Sequence, residues 1–349
     1  MGDSKKCVPS WGAWGGLSAP ALTQPIEALL KHHLPNSPIA VACSGGPDSA
    51  ALAIATAALC QTWQRPLYLF HIHHGMQTKA DQWSLDVEQL GQILGVPVVH
   101  AHVKVDLNSG LGPEGSARAA RQQALHDMAI LHDVGGILLA HHAQDQAETV
   151  LLRLLRGSGV MGLAGMQTVS TYAKQTVLWL RPWLAVAKPE VLGLVQAFSQ
   201  ATGWQPVLDP SNVDSRLGRG ALRSQIIPAV EARWPAWVNN LSRHAQQATQ
   251  ASILLDEYAD DLLMRVEFDV ASHSFDLKTW RDLTHPQQAL VLRRWLALVA
   301  SAMPTAGRLD ELIKQLRELH ALGQDRDLRW QHGHHVVQCL KKRVVLSSR

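Results

Sequence analysis

Ser44-Gly45-Gly46-Pro47-Asp48-Ser49 follows the apolar run "IAVAC" and leads into the small-residue run "AALAIATAAL". These residue types at this spacing suit an anion cradle between a strand and a helix. Two successive glycines allow positive φ and close approach of the backbone. The N–H groups of the turn and of the helix start can hold a phosphate. Ser44 and Ser49 can add hydroxyl donors. The stretch is not G-x-x-x-x-G-K-S/T, because no lysine is present to meet a γ-phosphate, and it is not G-x-G-x-x-G, which disfavours a nicotinamide cofactor. A carboxylate beside phosphates repels them unless Mg²⁺ lies between. Asp48 therefore points to a metal-bridged triphosphate. The bland alternative is an ordinary helix start, where Asp and Ser suit the dipole.

A second constellation is "LLAHHAQDQAETVLLRLLRGSGVMGLAGM", residues 138–166. His141 and His142 end an apolar run. Asp145 and Glu148, three apart, share a helix face. Paired carboxylates at a helix start, beside a nucleotide, suit a Mg²⁺ or an ammonium group. An amphipathic helix with an acidic first turn would explain the acids, but not the Gly-Ser-Gly that follows. Arg118 and Arg121 lie in "EGSARAARQQAL" and project from a similar helix face. They could neutralise phosphates or bind a carboxylate bidentately. Arg181 leaves a strand, with Pro182 fixing the exit and Lys188-Pro189-Glu190 starting a helix. Arg219 and Arg223 follow "LDPSNVDSRLG", a loop rich in Asp, Ser and Asn.

The elements that must position these groups are legible as alternation. Strand-length apolar runs occur at 38–43, 66–73, 96–103, 136–140 and 176–180, with helical patterns at 48–61, 80–94, 114–133 and 144–156. Near-continuous apolar strands mean a sheet covered on both faces. The alternation predicts a doubly wound parallel α/β sheet, with ligands at the carboxyl ends of its strands. Residues 221–300 carry only helical periodicity. A last helix at 306–322 precedes an alternating segment with a basic turn at Lys341-Lys342-Arg343, read as a small β-hairpin. The expected organisation is a lead-in over 1–24, a nucleotide domain over 25–220, and a helical domain with a small basic α+β tail over 221–349.

Composition narrows the class. The 349 residues carry a net charge of +3, and residues 301–349 hold nine Lys/Arg against five acids, an excess of +4. A basic tail hints at a polyanionic partner. Cys7, Cys43, Cys60 and Cys339 form no C-x-x-C pair, which disfavours zinc ribbons, iron–sulfur sites and disulfide frameworks and favours a reducing, cytoplasmic setting. No apolar run reaches the ~18–20 residues of a membrane span.

The loop at 44–49 resembles the S-G-G-x-D-S signature of the N-type ATP pyrophosphatases, the PP-loop family, which cleave ATP between the α- and β-phosphates. Within that family the chain resembles the tRNA(Ile)-lysidine synthetases. "FHIHHGMQTKAD" (70–81) is close to H-x-x-H-G-L-R, with Met76 and Gln77 replacing Leu and Arg. "ARAAR" matches the start of A-R-x-x-R-Y, with Gln122 in place of Tyr. Residues 141–159 match H-H-x-x-D-Q-x-E-T-x-x-x-R-x-x-R-G-S-G, and 181–190 match R-P-L-L-x-x-x-K-x-E. Residues 209–228 match a D-x-S-N…R-N-x-x-R motif, with Gly220 replacing Asn.

The resemblance implies a ligase that uses ATP and Mg²⁺ to join free L-lysine to C2 of the wobble cytidine of a tRNA(Ile) with a CAU anticodon. The product would read AUA rather than AUG. It implies catalytic roles for Asp48, Asp145 and Arg118, and ATP binding by Ser44, Gly45, Gly46, Pro47, Asp48, Ser49, His73 and Arg121. It further implies lysine binding by His141, Asp145 and Glu148, tRNA contacts by Arg181, Arg219 and Arg223, and Mg²⁺ at Asp48. A homodimer is compatible with it. The alternative within the family is another tRNA-modifying enzyme such as a thiolase, which would want the missing C-x-x-C pairs. Outside it stands a non-catalytic nucleotide-binding module, which would not need the 141–157 block or an appended helical tRNA domain.

Overall fold

The computed structural model describes residues 19–73, 80–103, 112–172, 176–208, 218–299, 303–319, 328, 330–333 and 335–348. Most of the lead-in, Met76 and Gln77, the Asp-Ser-Asn loop at 209–217, and Cys7, Arg326, Arg329 and Arg349 lie outside the described residues. The chain forms two compact units, Met1–Gln247 and Ala248–Arg349.

The first unit runs α1 (Pro20–His33), β1 (Ile39–Ala42), α2 (Pro47–Trp63), β2 (Leu67–His73), α3 (Ala80–Leu94), β3 (Val98–His102), α4 (Gly112–Leu131) and β4 (Gly136–Leu138). It continues with α5 (Ala143–Leu155), α6 (Val160–Leu163), β5 (Val169–Thr171), β6 (Leu178–Leu180), α7 (Lys188–Thr202), α8 (Gly218–Ala221), a π turn (Leu222–Ile226), α9 (Ile227–Arg233) and the start of α10 (Trp237–Arg265). The six strands lie in the order β3-β2-β1-β4-β6-β5. All pairs are parallel except β5–β6. The antiparallel edge strand β5 was not expected. Its three residues, Val-Ser-Thr, are too few to show a period.

Alternation along each strand sorts the core. Ile39, Val41, Leu67 and Leu69 pack with α1, α2, α3 and α7, while Ala40, Tyr68, Phe70 and Ile137 pack with α4. The helix α2 is buried almost all round through Ala50, Ala51, Ala53, Ala55 and Ala57, as expected of a helix inside a covering layer. Chain order reverses between β1 and β4, which makes their carboxyl ends a topological switch point, the crevice where doubly wound sheets bind ligands.

The second unit contains the end of α10, then β7 (Ser274–Asp276), α11 (Leu277–Arg281), α12 (His285–Val299), α13 (Ala306–Glu318), β8 (Trp330–His332), β9 (His335–Leu340) and β10 (Arg343–Ser348). Its antiparallel sheet has the order β7-β10-β9-β8. Phe275, Trp280, Trp295, Leu312, Trp330, Val337 and Val344 form one core. The strand β7 falls within the region that carried only helical periodicity, and it joins the tail's sheet to the helices. At the expected hairpin, Lys341 and Lys342 take φ of 50° and 69°, the pattern of a two-residue type I′ turn. Arg343 does not present itself beside them: it donates from Nε to Ser274 Oγ at 2.7 Å and from Nη2 to Glu267 O at 2.6 Å.

Candidate active site

The loop after β1 is shaped by Gly45. It sits at φ +83°, and a Cβ there would lie 2.9 Å from Val207 Cγ2. Val207 N–H donates to the Gly45 carbonyl at 2.9 Å. The serines knit the loop together. Ser49 Oγ donates to Gly46 O at 3.0 Å, accepts from Ser44 N–H at 3.2 Å and lies 3.1 Å from Ser44 Oγ. The hydroxyls expected to meet a ligand are thus engaged within the turn. Pro47 takes the first position of α2, and no side chain caps that helix, so the anion cradle is backbone. His71 Nδ1 lies 2.9 Å from Cys43 O, tying β2 to the strand end. Burial pushes the Cys43 thiol up to about 11, which leaves it un-ionised and inert.

The start of α5 faces this loop from the exit of β4. His142 caps α5 in a reciprocal box: Asp145 N–H donates to His142 Nδ1 at 3.4 Å, and His142 N–H donates to Asp145 Oδ2 at 3.1 Å. With Nδ1 accepting, the ring proton belongs on Nε2, assigned from the network. Nε2 is 3.7 Å from Asp48 Oδ1. His142 is therefore a buried bridge between the two carboxylates. Burial raises the Asp48 carboxyl, against the lowering influence of His142 and Lys188. Burial also works against the charge on Asp145, but His142, His141 and the His142 N–H outweigh it and hold that carboxyl below its ordinary value.

The remaining acid is Glu148, whose side chain is 0% exposed. Arg223, on the π turn, donates from Nε to Glu148 Oε1 at 2.8 Å and from Nη2 to Asp145 Oδ1 at 3.4 Å. Gln144 Nε2 donates to the same Glu148 oxygen at 3.4 Å. Glu148 Oε2 has no hydrogen-bond partner. Arg219 donates to Thr149 Oγ1 at 2.8 Å. Arg181 donates from Nη1 to Gln167 O at 3.0 Å and to Ser170 Oγ at 2.9 Å. All three arginines expected on tRNA are drawn against protein groups of this unit.

Positive charge converges on His141. Burial, together with Arg181, Arg219 and Arg118, lowers it to about 4 against the pull of Asp145. Burial and the charge of Arg118 lower Arg181 to about 10. Arg118 itself is exposed. Such convergence of arginines, one of them buried, on a neutral His141 favours an anionic ligand.

Asp48, His141, Asp145, Glu148, Arg118, Arg181, Arg219 and Arg223 therefore act on one another. Arg121 donates from Nε to its own helix at Ala117 O, 3.4 Å away. His73 ends β2 with Nε2 2.9 Å from Asp81 Oδ1 and its ring 4.6 Å from that of His102. Sequence reasoning missed His142 as the bridge, though H-H-x-x-D is a capping-box spacing. It also missed Lys188, whose position at a helix start gave no sign of Asp48. Gln146 and Arg153 hold the glycine-rich segment: Gln146 bonds both backbone groups of Met166, and Arg153 donates to Gly162 O and Gly165 O.

Among the described residues no three His, Cys, Asp or Glu side chains are arranged to hold a metal by themselves. Mg²⁺ commonly takes one or two carboxylates with substrate phosphates and water. Asp48 fits that use, because its buried Oδ1 has no hydrogen-bond partner. No described helix is long and apolar enough to cross a membrane.

Comparison with known proteins agrees with this geometry. Residues 19–230 match the model of the PP-loop domain. Residues 275–345 match the TilS substrate binding domain. The tRNA(Ile)-lysidine synthase of Bordetella parapertussis is 49% identical over 334 residues, covering 94% of this chain and 95% of that protein. That of Bordetella pertussis is 50% identical over 310 residues, covering 89% and 96%. Among solved structures, the U34-tRNA thiolase NcsA of Methanococcus maripaludis aligns with a TM-score of 0.50 over 65% of this chain and 79% of its own, at 17% identity. That likeness shows the fold alone. With about half of all positions identical across nearly the whole length of both proteins, the chain belongs to the tRNA(Ile)-lysidine synthase family of PP-loop enzymes.

Proposed function

We propose that the enzyme joins L-lysine to C2 of the wobble cytidine of tRNA(Ile) bearing a CAU anticodon, in two steps at this one crevice. The observation that carries the reading is the His142 bridge, which joins the nucleotide loop at Asp48 to the acidic start of α5 at Asp145. In the first step the C2 carbonyl oxygen of the base attacks the α-phosphate of ATP, and pyrophosphate leaves. The backbone cradle at 44–49 and the Arg118, Arg181 and Arg219 charges stabilise the phosphates as negative charge grows. Mg²⁺, when bound, would be held by Asp48 together with phosphate oxygens and would neutralise charge on the leaving group.

In the second step the ε-amine of lysine attacks C2 and AMP leaves. The ε-ammonium is received by Asp145 and Glu148, where Arg223 now sits as a cation of the same charge. It must lose a proton before it attacks. His141 is the un-ionised candidate, since its pKa is about 4. Burial is the main cause of that lowering; phosphates on the surrounding arginines would offset the smaller part that comes from their charge, so ATP binding would make it a better base. The base must reach the site unstacked, as expected for reactions on single-stranded loops. The same reading puts the enzyme in the cytoplasm with its substrates; a homodimer is compatible with it, and light scattering would test that.

The test is pyrophosphate release by the purified protein with ATP and Mg²⁺. Release that requires the CAU-bearing tRNA(Ile), with lysine incorporated into that tRNA, is the expected result. Release indifferent to tRNA, or tRNA left without lysine, would overturn the reading.

A further inference from the structure

We infer that His71 is a positioning residue for ATP: its imidazole holds the peptide at which β1 turns into the nucleotide loop, and so keeps the cradle formed before ATP arrives. The inference rests on the reading of residues 44–49 as that cradle. It gives a role in the reaction to a buried histidine that the proposed steps do not use.

The pairing of β1 with β2 ends at Ala42 and Phe70. One residue on, Cys43 N–H still donates to Phe70 O at 2.9 Å, and there the chain leaves the sheet. The next peptide, between Cys43 and Ser44, is held by side chains at both ends. Its carbonyl lies 2.9 Å from His71 Nδ1. Its N–H donates to Ser49 Oγ at 3.2 Å. A carbonyl can only accept, so His71 Nδ1 carries a proton and donates it here, a state assigned from the network. Cys43 is 2% exposed and His71 is 4% exposed. A carbonyl in such a place must find its partner within the protein.

An anion cradle needs N–H groups turned toward the ligand and carbonyls turned away. Three carbonyls of this loop are each held by a donor from a different part of the chain. His71 of β2 takes that of Cys43, Val207 N–H takes that of Gly45 at 2.9 Å, and Ser49 Oγ of α2 takes that of Gly46 at 3.0 Å. His71 alone among them ties the loop to the neighbouring strand of the sheet. Its ring plane is fixed in turn. His100, its register partner on β3, meets it edge-on at 5.5 Å between centroids and 71° between planes. Without the imidazole the Cys43 carbonyl loses its donor, and the entrance peptide is free to rotate its dipole toward the phosphates. ATP would then have to order the loop as it binds, so the loss falls on ATP affinity.

Two substitutions separate this role from packing. His71→Phe keeps a ring and removes the nitrogens. His71→Asn removes the ring but keeps a donor, because the amide nitrogen stands two bonds from Cβ, as Nδ1 does. The dissociation constant of Mg·ATP, measured by calorimetry on the full chain, should rise ~10-fold in the Phe variant, the size of one lost hydrogen bond to a buried group. It should return to within about threefold of the wild type in the Asn variant. The KM for ATP should follow the same order while the KM for lysine stays unchanged. A role in packing alone would rank the variants the other way. A second measurement uses the wild-type protein and does not depend on any variant folding. In its ¹⁵N spectrum, the His71 signal, placed by labelling a single histidine, should show Nδ1 protonated and should move when Mg·ATP is added. A folded Phe variant with wild-type ATP affinity, an Asn variant no better than Phe, or a bare Nδ1 would overturn the inference. A wild-type protein that binds no ATP would instead defeat the reading of the loop on which the inference stands.

Discussion

Arg223 donates from Nε to Glu148 Oε1 at 2.8 Å, and Glu148 is a carboxylate with no exposed surface. Removing one partner of a buried ion pair strands the other charge. Arg223→Met should cost about 2–3 kcal/mol, less than the ~3–5 kcal/mol of a fully buried pair, because the guanidinium is 34% exposed. The double change with Glu148→Gln should cost less than the sum of the singles. Urea unfolding midpoints of the three variants measure it, and additive costs would refute the coupling.

His142 serves the helix and the chemistry through different nitrogens. His142→Asn keeps an N-cap acceptor, whereas His142→Ala loses about 1 kcal/mol of capping. Neither retains the Nε2 proton that faces Asp48. Stability should therefore recover in the Asn variant while kcat stays low, on the order of 100-fold down in both. Equal recovery of stability and kcat would show that capping is the whole role.

The His141 ring is neutral in the folded protein, lowered from 6.5 to about 4. The unfolded chain binds the proton first as pH falls, so the contribution to stability is complete above ~6.5 and is lost as pH drops toward 4. It amounts to about 3 kcal/mol at most, at 1.36 kcal/mol per pKa unit. His141→Gln should flatten the pH dependence of the urea midpoint between 6.5 and 4. A slope equal to that of the wild type would contradict the shift.

Lys188 opposes the upward push of burial on the Asp48 carboxyl. Ala143 N–H donates to Val186 O at 3.0 Å, which fixes the chain that leads into Lys188 against the start of α5. Lys188→Gln should lower kcat/KM for ATP ~10-fold with little change in the KM for lysine, as loss of one charge near the phosphates would. Lys188→Arg should restore most of it. Initial rates with each substrate varied in turn separate the two constants.

Gly45→Ala meets two obstacles, a φ of +83° and a contact of 2.9 Å with Val207 Cγ2. Val207→Ala relieves only the contact. The single change should raise the KM for ATP and destabilise by more than ~1 kcal/mol, the cost of a left-handed non-glycine residue. Adding Val207→Ala should recover part of the stability and none of the strain. Full recovery would assign the whole effect to sterics.

The nucleotide unit was legible because its signals are local. Apolar strands such as "IAVA" and "LYLF" are buried on both faces, and the order of helices and strands follows from their alternation. The loop at 44–49 was legible as a phosphate turn for the same reason. The edge strands β5 and β7 were not, because each is three residues long and exists only through its pairing with β6 or β10. The site acids were legible as types at a spacing, yet their state was not. Nothing in "HHAQDQAE" indicates that an arginine 75 positions onward neutralises Glu148. The serines of the loop were legible as hydroxyls near an anion site, but the bonds they make within the turn were not, because those depend on the turn's geometry.

The box formed by His142 and Asp145 has one more consequence. The amide hydrogens of these two residues are locked by the carboxylate and the ring that the proposed reaction would use. Whatever draws Asp145 Oδ2 toward a substrate ammonium must loosen the His142 amide. Exchange of that single hydrogen with solvent would then accelerate when lysine is bound. The first turn of α5 is in that sense a built-in occupancy gauge, readable without any label on the substrate.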